Sequence, residues 1–236
     1  MESEHGMRNT ILPDTSMVMA FRYKGIVGYT EEGIDNSLPL SVITGIRKSA
    51  RLVCYSKNAA ALLIIFREGG AAAFFKEPMH ELSDMSVSLD HLIQRQKIKD
   101  LEERLSEATD HPQRIAIVEH FLLSELKRTQ TDMLVFHSIQ KMQYTHGDIR
   151  IKDMLTDLHI SRDPFEKRFR RVTGTTPKQF AGIIRLRYLI DHYTNDDSLT
   201  EAAYAAGYFD QAHFIKDFRA FTGQTPHAFF KSNLYW

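Results

Sequence analysis

Cysteine is nearly absent from this chain: among 236 residues there is one, Cys54. A single cysteine cannot close an internal disulfide, and no cysteine–histidine pair has the spacing of a zinc site. Cys54 is expected to be a small buried apolar side chain within Leu52-Val-Cys-Tyr55, not a redox sensor. Long hydrophobic runs are missing too. No apolar stretch reaches the roughly 18 residues that span a bilayer, so no membrane partner is expected. The opening Met1-Glu-Ser-Glu-His-Gly6 has neither the basic start nor the apolar stretch of a secretory signal, which makes the cytoplasm the expected compartment. Net charge is also lacking. The 30 basic and 30 acidic residues balance, and a neutral sum by itself argues against a polyanion binder.

Signatures of catalysis are equally scarce. There is no G-x-S-x-G, no phosphate loop, no H-E-x-x-H and no cysteine–histidine nucleophile arrangement. The 11 histidines are scattered without carboxylates at metal-ligand spacing. Met79-His-Glu81 is an isolated His–Glu neighbour pair, expected as a surface turn after Pro78. No enzyme activity, metal or cofactor is expected, and the residues name no cofactor-binding position.

What is present is an ordinary globular composition, 43% hydrophobic and 25% charged, with a change of texture along the chain. Residues 1–86 are strand-biased. Leu62-Leu-Ile-Ile-Phe66 and Ala71-Ala-Ala-Phe-Phe75 are five-residue apolar runs between breakers such as Glu68-Gly-Gly70, which suits buried strands or a short buried helix. Residues 87–143 form a helical connector, packed on the first region or serving as a dimer seam. Leu89, Leu92, Ile93, Ile98, Leu101 and Leu105 recur at helical spacing. A second helix opens at His111-Pro112 with Ile115, Ile117, Val118, Phe121, Leu122 and Leu126 on its apolar side. Thr131-Asp132 caps a third, carrying Leu134, Val135, Ile139 and Met142. Tyr144-Thr-His-Gly147 marks the boundary of a final region, 144–236. The expected class is α+β, with a strand-biased first domain, a helical connector and an all-α last domain.

Charge is unevenly placed. From Ser161 to Arg187, eight basic residues (Arg162, Lys167, Arg168, Arg170, Arg171, Lys178, Arg185, Arg187) face two acids (Asp163, Glu166), leaving +6. From Tyr188 to Trp236 three basic residues face six acids, leaving −3. A neutral protein with one basic stripe can still hold a polyanion locally.

The last region also repeats itself at an offset of 49 residues. Phe165-Glu-Lys-Arg-Phe-Arg-Arg-Val-Thr-Gly-Thr-Thr-Pro177 is echoed by Phe214-Ile-Lys-Asp-Phe-Arg-Ala-Phe-Thr-Gly-Gln-Thr-Pro226, and Phe180 by Phe229. Two copies make a duplicated module, not a solenoid. Each reads as a helix-turn-helix. In the first, Ile151, Met154, Leu155 and Leu158 face inward, His159-Ile160 turns, and Ser161 caps a helix burying Phe165, Phe169 and Val172 that stops at Gly174. In the second, Leu199, Ala202, Ala203 and Ala206 face inward, Gly207-Tyr208 turns, and Asp210 caps a helix burying Phe214, Phe218 and Phe221. A long helix from about Pro177 to Tyr193 joins them through Phe180, Ile183, Ile184 and Leu186.

The stretch Gly207-Tyr-Phe-Asp-Gln-Ala-His-Phe-Ile-Lys-Asp-Phe-Arg-Ala-Phe-Thr-Gly-Gln-Thr-Pro226 resembles the signature of the AraC/XylS family of bacterial regulators, and the first copy is a looser match. The resemblance covers residues 140–232, some two fifths of the chain. Residues 40–130 more weakly resemble the sensor region of some AraC-type proteins around Phe66-Arg-Glu-Gly-Gly-Ala-Ala-Ala-Phe-Phe75. The resemblance implies a domain of seven helices whose third and sixth enter successive major grooves, and double-stranded DNA as partner. RNA polymerase, a small effector and a second copy of the chain are further candidate partners.

On helix-turn-helix geometry the outward positions are Arg162, Asp163, Glu166, Lys167 and Arg170, then Gln211, Ala212, Ile215, Lys216 and Arg219. The family's base-reading positions fall on Asp163 and Lys167, then on Gln211, Ala212 and Lys216. Lysine can donate to guanine and glutamine can bond adenine at two points; Ala212 reaches only a thymine methyl. Asp163 either accepts from cytosine or serves as an N-terminal helix charge or partner to Lys167. Arg168 and Arg171 belong to a salt-bridged or solvated face, or to phosphate contact. His213 is read as a local cap or backbone contact. Phe165, Phe169, Phe214 and Phe218 belong to the core. The competing readings are an enzyme, or an interaction module whose helix-turn-helix domain does not read DNA.

Overall fold

The computed structural model describes residues 6–31, 33–127, 131–193 and 198–231. The first region forms two four-stranded antiparallel sheets. One has the order β1 (Arg8–Ile11), β6 (Arg51–Tyr55), β3 (Val27–Glu31), β4 (Ile34–Ser37). The other has the order β7 (Ala60–Ile65), β2 (Val18–Lys24), β5 (Ser41–Thr44), β8 (Ser86–Ser88). Side chains alternate across a strand, and β2 shows the consequence: Met19 and Phe21 are buried while Val18, Ala20 and Arg22 are half-buried. Of the two apolar runs, the first is a strand, though only Leu62, Ile64 and Phe66 turn inward. The second is not a strand. Gly69 is left-handed, and the chain winds into a short 3-10 helix at Gly70–Ala73. Cys54 is half-buried, not fully buried; its thiol lies 3.7 Å from the Thr30 hydroxyl.

Two helices cover the second sheet. In α1 (Arg95–Glu107) Ile98, Leu101 and Leu105 are buried, and in α2 (His111–Glu125) Ile117, Val118 and Phe121 are buried. The Asp110 carboxylate accepts from the Gln113 amide at 2.8 Å, and Pro112 sits in the first turn. Phe121 meets Phe21 edge-on at 5.8 Å. Ile115 and Leu126, expected on the apolar side of α2, are exposed instead. At about 100° per residue each lies well off the stripe that Ile117, Val118 and Phe121 define.

The rest is helical: α3 (Met133–Tyr144), α4 (Ile151–Asp157), α5 (Arg162–Thr173), α6 (Pro177–His192), α7 (Leu199–Ala205), α8 (Gln211–Thr222) and α9 (Pro226–Lys231). Among the described residues these are seven helices, a count that includes α3. The Asp132 side chain caps α3, accepting from the Val135 amide at 3.2 Å. Left-handed His146 and Gly147 turn the chain into α4.

The two halves share one continuous apolar core from Leu12 to Phe229. Polar ties cross between them. The Ala50 amide donates to the Phe221 carbonyl at 2.8 Å. Arg187 donates to the Pro13 carbonyl at 3.0 Å and to Asp14 at 2.7 Å, and Gln143 donates to Glu68 at 2.7 Å.

Candidate nucleic-acid interface

The sequence repeat is a repeat in space. Helices α5 and α8 each run 12 residues and end on a left-handed glycine, Gly174 and Gly223, whose amides reach back to the carbonyls of Arg170 and Arg219. In each, the last threonine donates to the carbonyl one turn back: Thr173 to Phe169 at 2.9 Å and Thr222 to Phe218 at 2.8 Å. The aromatic cores match as well. Phe165–Phe169 and Phe214–Phe218 stand 5.6 and 5.5 Å apart, and Phe169–Phe180 and Phe218–Phe229 are both edge-on at 5.3 Å. All these phenylalanines are buried, which assigns them to packing. Helix α6 touches both units. Its Phe180 meets Phe169, its Arg185 lies over the Tyr208 ring at 5.1 Å, and Tyr193 just after it packs on Phe230. Burial pushes the Tyr208 phenol well above its ordinary pKa.

The entry to each helix differs. Asp210 caps α8 through its side chain, accepting from the His213 amide at 2.7 Å. Ser161 precedes α5 in extended backbone but makes no side-chain capping bond, so the expected serine cap does not form. His213 serves locally: its ring lies 3.4 Å from Asp217 and edge-on to Tyr208.

Packing the phenylalanines inward turns the polar side chains out. On α5, Arg162, Asp163, Lys167 and Arg170 are exposed and Glu166 is half-buried, 3.9 Å from Arg162. Asp163 lies in the first turn and has no ion pair with Lys167 among the described residues. On α8, Gln211, Ala212, Lys216 and Arg219 are exposed, with Ile215 beside them. Arg168 is committed elsewhere. Its Nε and Nη2 both donate to Asp132 at 2.8 Å, while Arg171 stays exposed.

Two features of this face were not legible beforehand. Lys152 on α4 and Lys178 on α6 gather with Arg162 around a hollow whose floor includes Leu155, Phe165 and Pro177. Lys152 carried no signal in the sequence, and Lys178 was visible only as part of the basic stripe. The second is the turn at Met79–Leu82. Read as a surface feature, it is a 3-10 helix whose Met79 and Leu82 are buried and which packs on α5. Its His80 shares a hollow with Asp163, Glu166, Lys167 and Arg170. The corresponding depression on α8 is bounded by Ala212, Ile215, Lys216, Arg219 and Ala220 alone. Among the described residues the outward face of α5 therefore has a wall, and that of α8 has none.

Among the described residues, no group of histidine, cysteine and carboxylate side chains is placed to hold a metal, and no helix is long and apolar enough to cross a membrane.

Residues 154–232 match a family described as Helix-turn-helix domain, and residues 1–88 match a Domain of unknown function (DUF6597). The Msm operon regulatory protein of Streptococcus mutans is 25% identical over 122 residues, covering 49% of this chain and 43% of that protein. The MmsAB operon regulatory protein of Pseudomonas aeruginosa is 25% identical over 111 residues, covering 46% and 35%. The chain thus spans less than half the length of these curated relatives. A solved structure of ToxT from Vibrio cholerae superposes with a TM-score of 0.50 at 13% identity, over 94% of this chain and 93% of that one. The likeness is one of fold.

Proposed function

We propose that this chain, whose residues 154–232 match a helix-turn-helix family and resemble the AraC type, is a DNA-binding transcription regulator that uses α5 and α8 as paired recognition helices in successive major grooves. The observation that carries the reading is the duplication: two units with matching cores each turn a polar helix face to solvent. In this reading Lys167, Gln211 and Lys216 meet base edges, with Asp163 accepting from a cytosine and Ala212 against a thymine methyl. Arg162, Glu166, Arg170 and Arg219 flank them, and the arginines meet phosphates together with Lys152 and Lys178. The names of both curated relatives, operon regulatory proteins, support it. A bacterial cytoplasm is the compartment that suits this work, and RNA polymerase is a natural partner at a promoter.

The first region, residues 1–86, is assigned the modulating part, with 87–143 joining it to the DNA-reading region. The packing of the Met79–Leu82 turn on α5 supports this, since an event that shifts the turn shifts a recognition helix. A small effector is the natural trigger.

Selection of bound fragments from a random-sequence library, followed by mobility shift, tests the reading. The expected product is one motif with two recognition blocks about 10–10.5 base pairs apart. Failure to enrich any sequence would overturn it in favour of an interaction module that has lost DNA binding.

A further inference from the structure

The two helix-turn-helix units are alike in their cores and unlike in the faces they turn outward. Residues 49 apart occupy equivalent places, so the faces compare position by position. Lys167 matches Lys216, and Arg170 matches Arg219. At the other outward positions α5 is charged and α8 is neutral: Arg162 gives way to Gln211, Asp163 to Ala212, Glu166 to Ile215 and Arg171 to Ala220. The approach to each helix differs in the same direction. Ile160, before α5, is half-buried and packs on the core, whereas its counterpart Phe209 is 90% exposed, more than any other large apolar side chain among the described residues. Ala212, Ile215 and Ala220 line one depression together with Lys216 and Arg219. The apolar patch on α8 thus adjoins the two cations that both units share.

We propose that the two units read different base pairs: α8 lies over A·T pairs, covering thymine methyls with Ile215 and Phe209 beside Ala212, and α5 lies over G·C pairs. The inference rests on the reading of α5 and α8 as recognition helices and adds to it the composition of each half of the site. The C5-methyl of thymine is the apolar group that a base pair displays in the major groove, and apolar side chains meet it without a hydrogen bond. Ile215 and Phe209 have no side-chain donor or acceptor, so a methyl is the base feature they can favour. Gln211 points to the same pair, since glutamine bonds adenine at two points. On α5 a carboxylate accepts from the cytosine amino group and a lysine donates to guanine, so Asp163 and Lys167 both favour G·C. DNA is the occupant that fits the patch. Lys216 and Arg219 line the same depression and would hold a phosphate-bearing strand against it.

Binding of the full chain to its selected site, with deoxyuridine in place of thymidine, tests it. Deoxyuridine lacks the C5-methyl and keeps every hydrogen-bonding atom of the base. Within one block each replacement should weaken binding about threefold to fivefold, the worth of one covered methyl, and leave the salt dependence unchanged. At thymines elsewhere in the site it should change little. Ile215→Ser should bind the thymidine site more weakly and lose the sensitivity at one thymine, and Phe209→Ser should lose it at another. Ile215→Val should keep most of it, and Glu166→Ala, the equivalent position on α5, should keep all of it. Circular dichroism checks that each variant is folded. A site with the same base-pair type in both blocks, or one indifferent to deoxyuridine, overturns the inference and leaves the two-helix reading standing. So does an Ile215→Ser chain that binds both forms of the site as the parent does, which would give the patch to a protein partner. Failure to enrich any sequence overturns both.

Discussion

Arg168 on α5 grips Asp132 at the head of α3 with two hydrogen bonds of 2.8 Å each. Burial works against the charge of Asp132, but the bonds from Arg168 and from the Val135 amide outweigh it and hold the carboxyl below the usual carboxylate range. Arg168 is thereby a structural residue amid exposed polar neighbours. Arg168→Ala should lower folding stability by about 0.5–1.5 kcal/mol, discounted because the guanidinium is half-exposed. The sign with pH follows. A carboxyl that binds its proton more weakly when folded contributes stability that is present above about pH 4 and lost as pH falls through the depressed folded value. Denaturant melts between neutral and acid pH should therefore show a shallower acid loss in the variant than in the parent.

The same contact bears on where an independent helical fragment must begin. Val135, Ile139 and Met142 of α3 are buried in the shared core, and each contributes about 1.5–3 kcal/mol by burial. A fragment of residues 131–236 should melt cooperatively by circular dichroism. One of residues 145–236, lacking α3 and Asp132, should not. Equal melting curves for the two would remove α3 from the folding unit.

Gly174 and Gly223 form a matched pair for testing the wall on α5. Both are left-handed, so alanine at either carries the backbone strain of about 1–2 kcal/mol. Around Gly223 an added Cβ meets nothing within 4 Å. At Gly174 it would lie 2.6 Å from the Met17 methyl and 3.0 Å from the Met79 carbonyl. The methyl can swing away; the carbonyl belongs to the backbone and cannot. Gly174→Ala should thus be the more destabilising by a further 1–3 kcal/mol or so. Limited proteolysis should show easier cleavage near residues 76–84 in that variant alone.

Salt separates phosphate contacts from structural cations. Arg170→Ala should flatten the dependence of log affinity on log salt by about one unit and weaken all DNA sequences alike. Arg168→Ala should leave the slope where it was. An unchanged slope for Arg170→Ala would take that residue off the DNA backbone.

The two recognition helices should divide their labour. The segment holding α5 carries +6 and the segment holding α8 carries −3. Lys167→Ala should accordingly lose more total affinity than Gln211→Ala. Gln211→Ala should relax discrimination at one base pair by roughly 1–3 kcal/mol. Binding of each variant to the selected site and to its single-base variants reads both effects. Uniform weakening by Gln211→Ala with a changed base preference in Lys167→Ala would exchange the two roles.

The duplicated units were legible because their apolar residues recur at helical spacing and their stops are glycines; Phe165, Phe169, Phe214 and Phe218 are core as read. Choices that depend on distant partners were not legible. Nothing local tells that Met79 sits beneath Gly174, that Arg168 would select Asp132, or that Lys152 and Lys178 would meet beside Arg162. Ser161 is a good cap by residue type, yet of the residues that precede α5 and α8 it is Asp210 that caps with its side chain. Ala71–Phe75 reads equally as strand or helix because a five-residue apolar run has no period, and the left-handed Gly69 decides for the helix.

The buried anchor of the Met79–Leu82 turn also makes α5 and the first region one thermodynamic object. Suppose a ligand prefers the first region with the turn seated differently on α5. Its coupling free energy with DNA is then the same read from either end, so if it loosens DNA tenfold, DNA must loosen it tenfold. The turn borders α5, while the first region reaches α8 through the Ala50 amide on the Phe221 carbonyl. Such a ligand would therefore bear unequally on the two helices, through a packed turn at one and a single backbone hydrogen bond at the other.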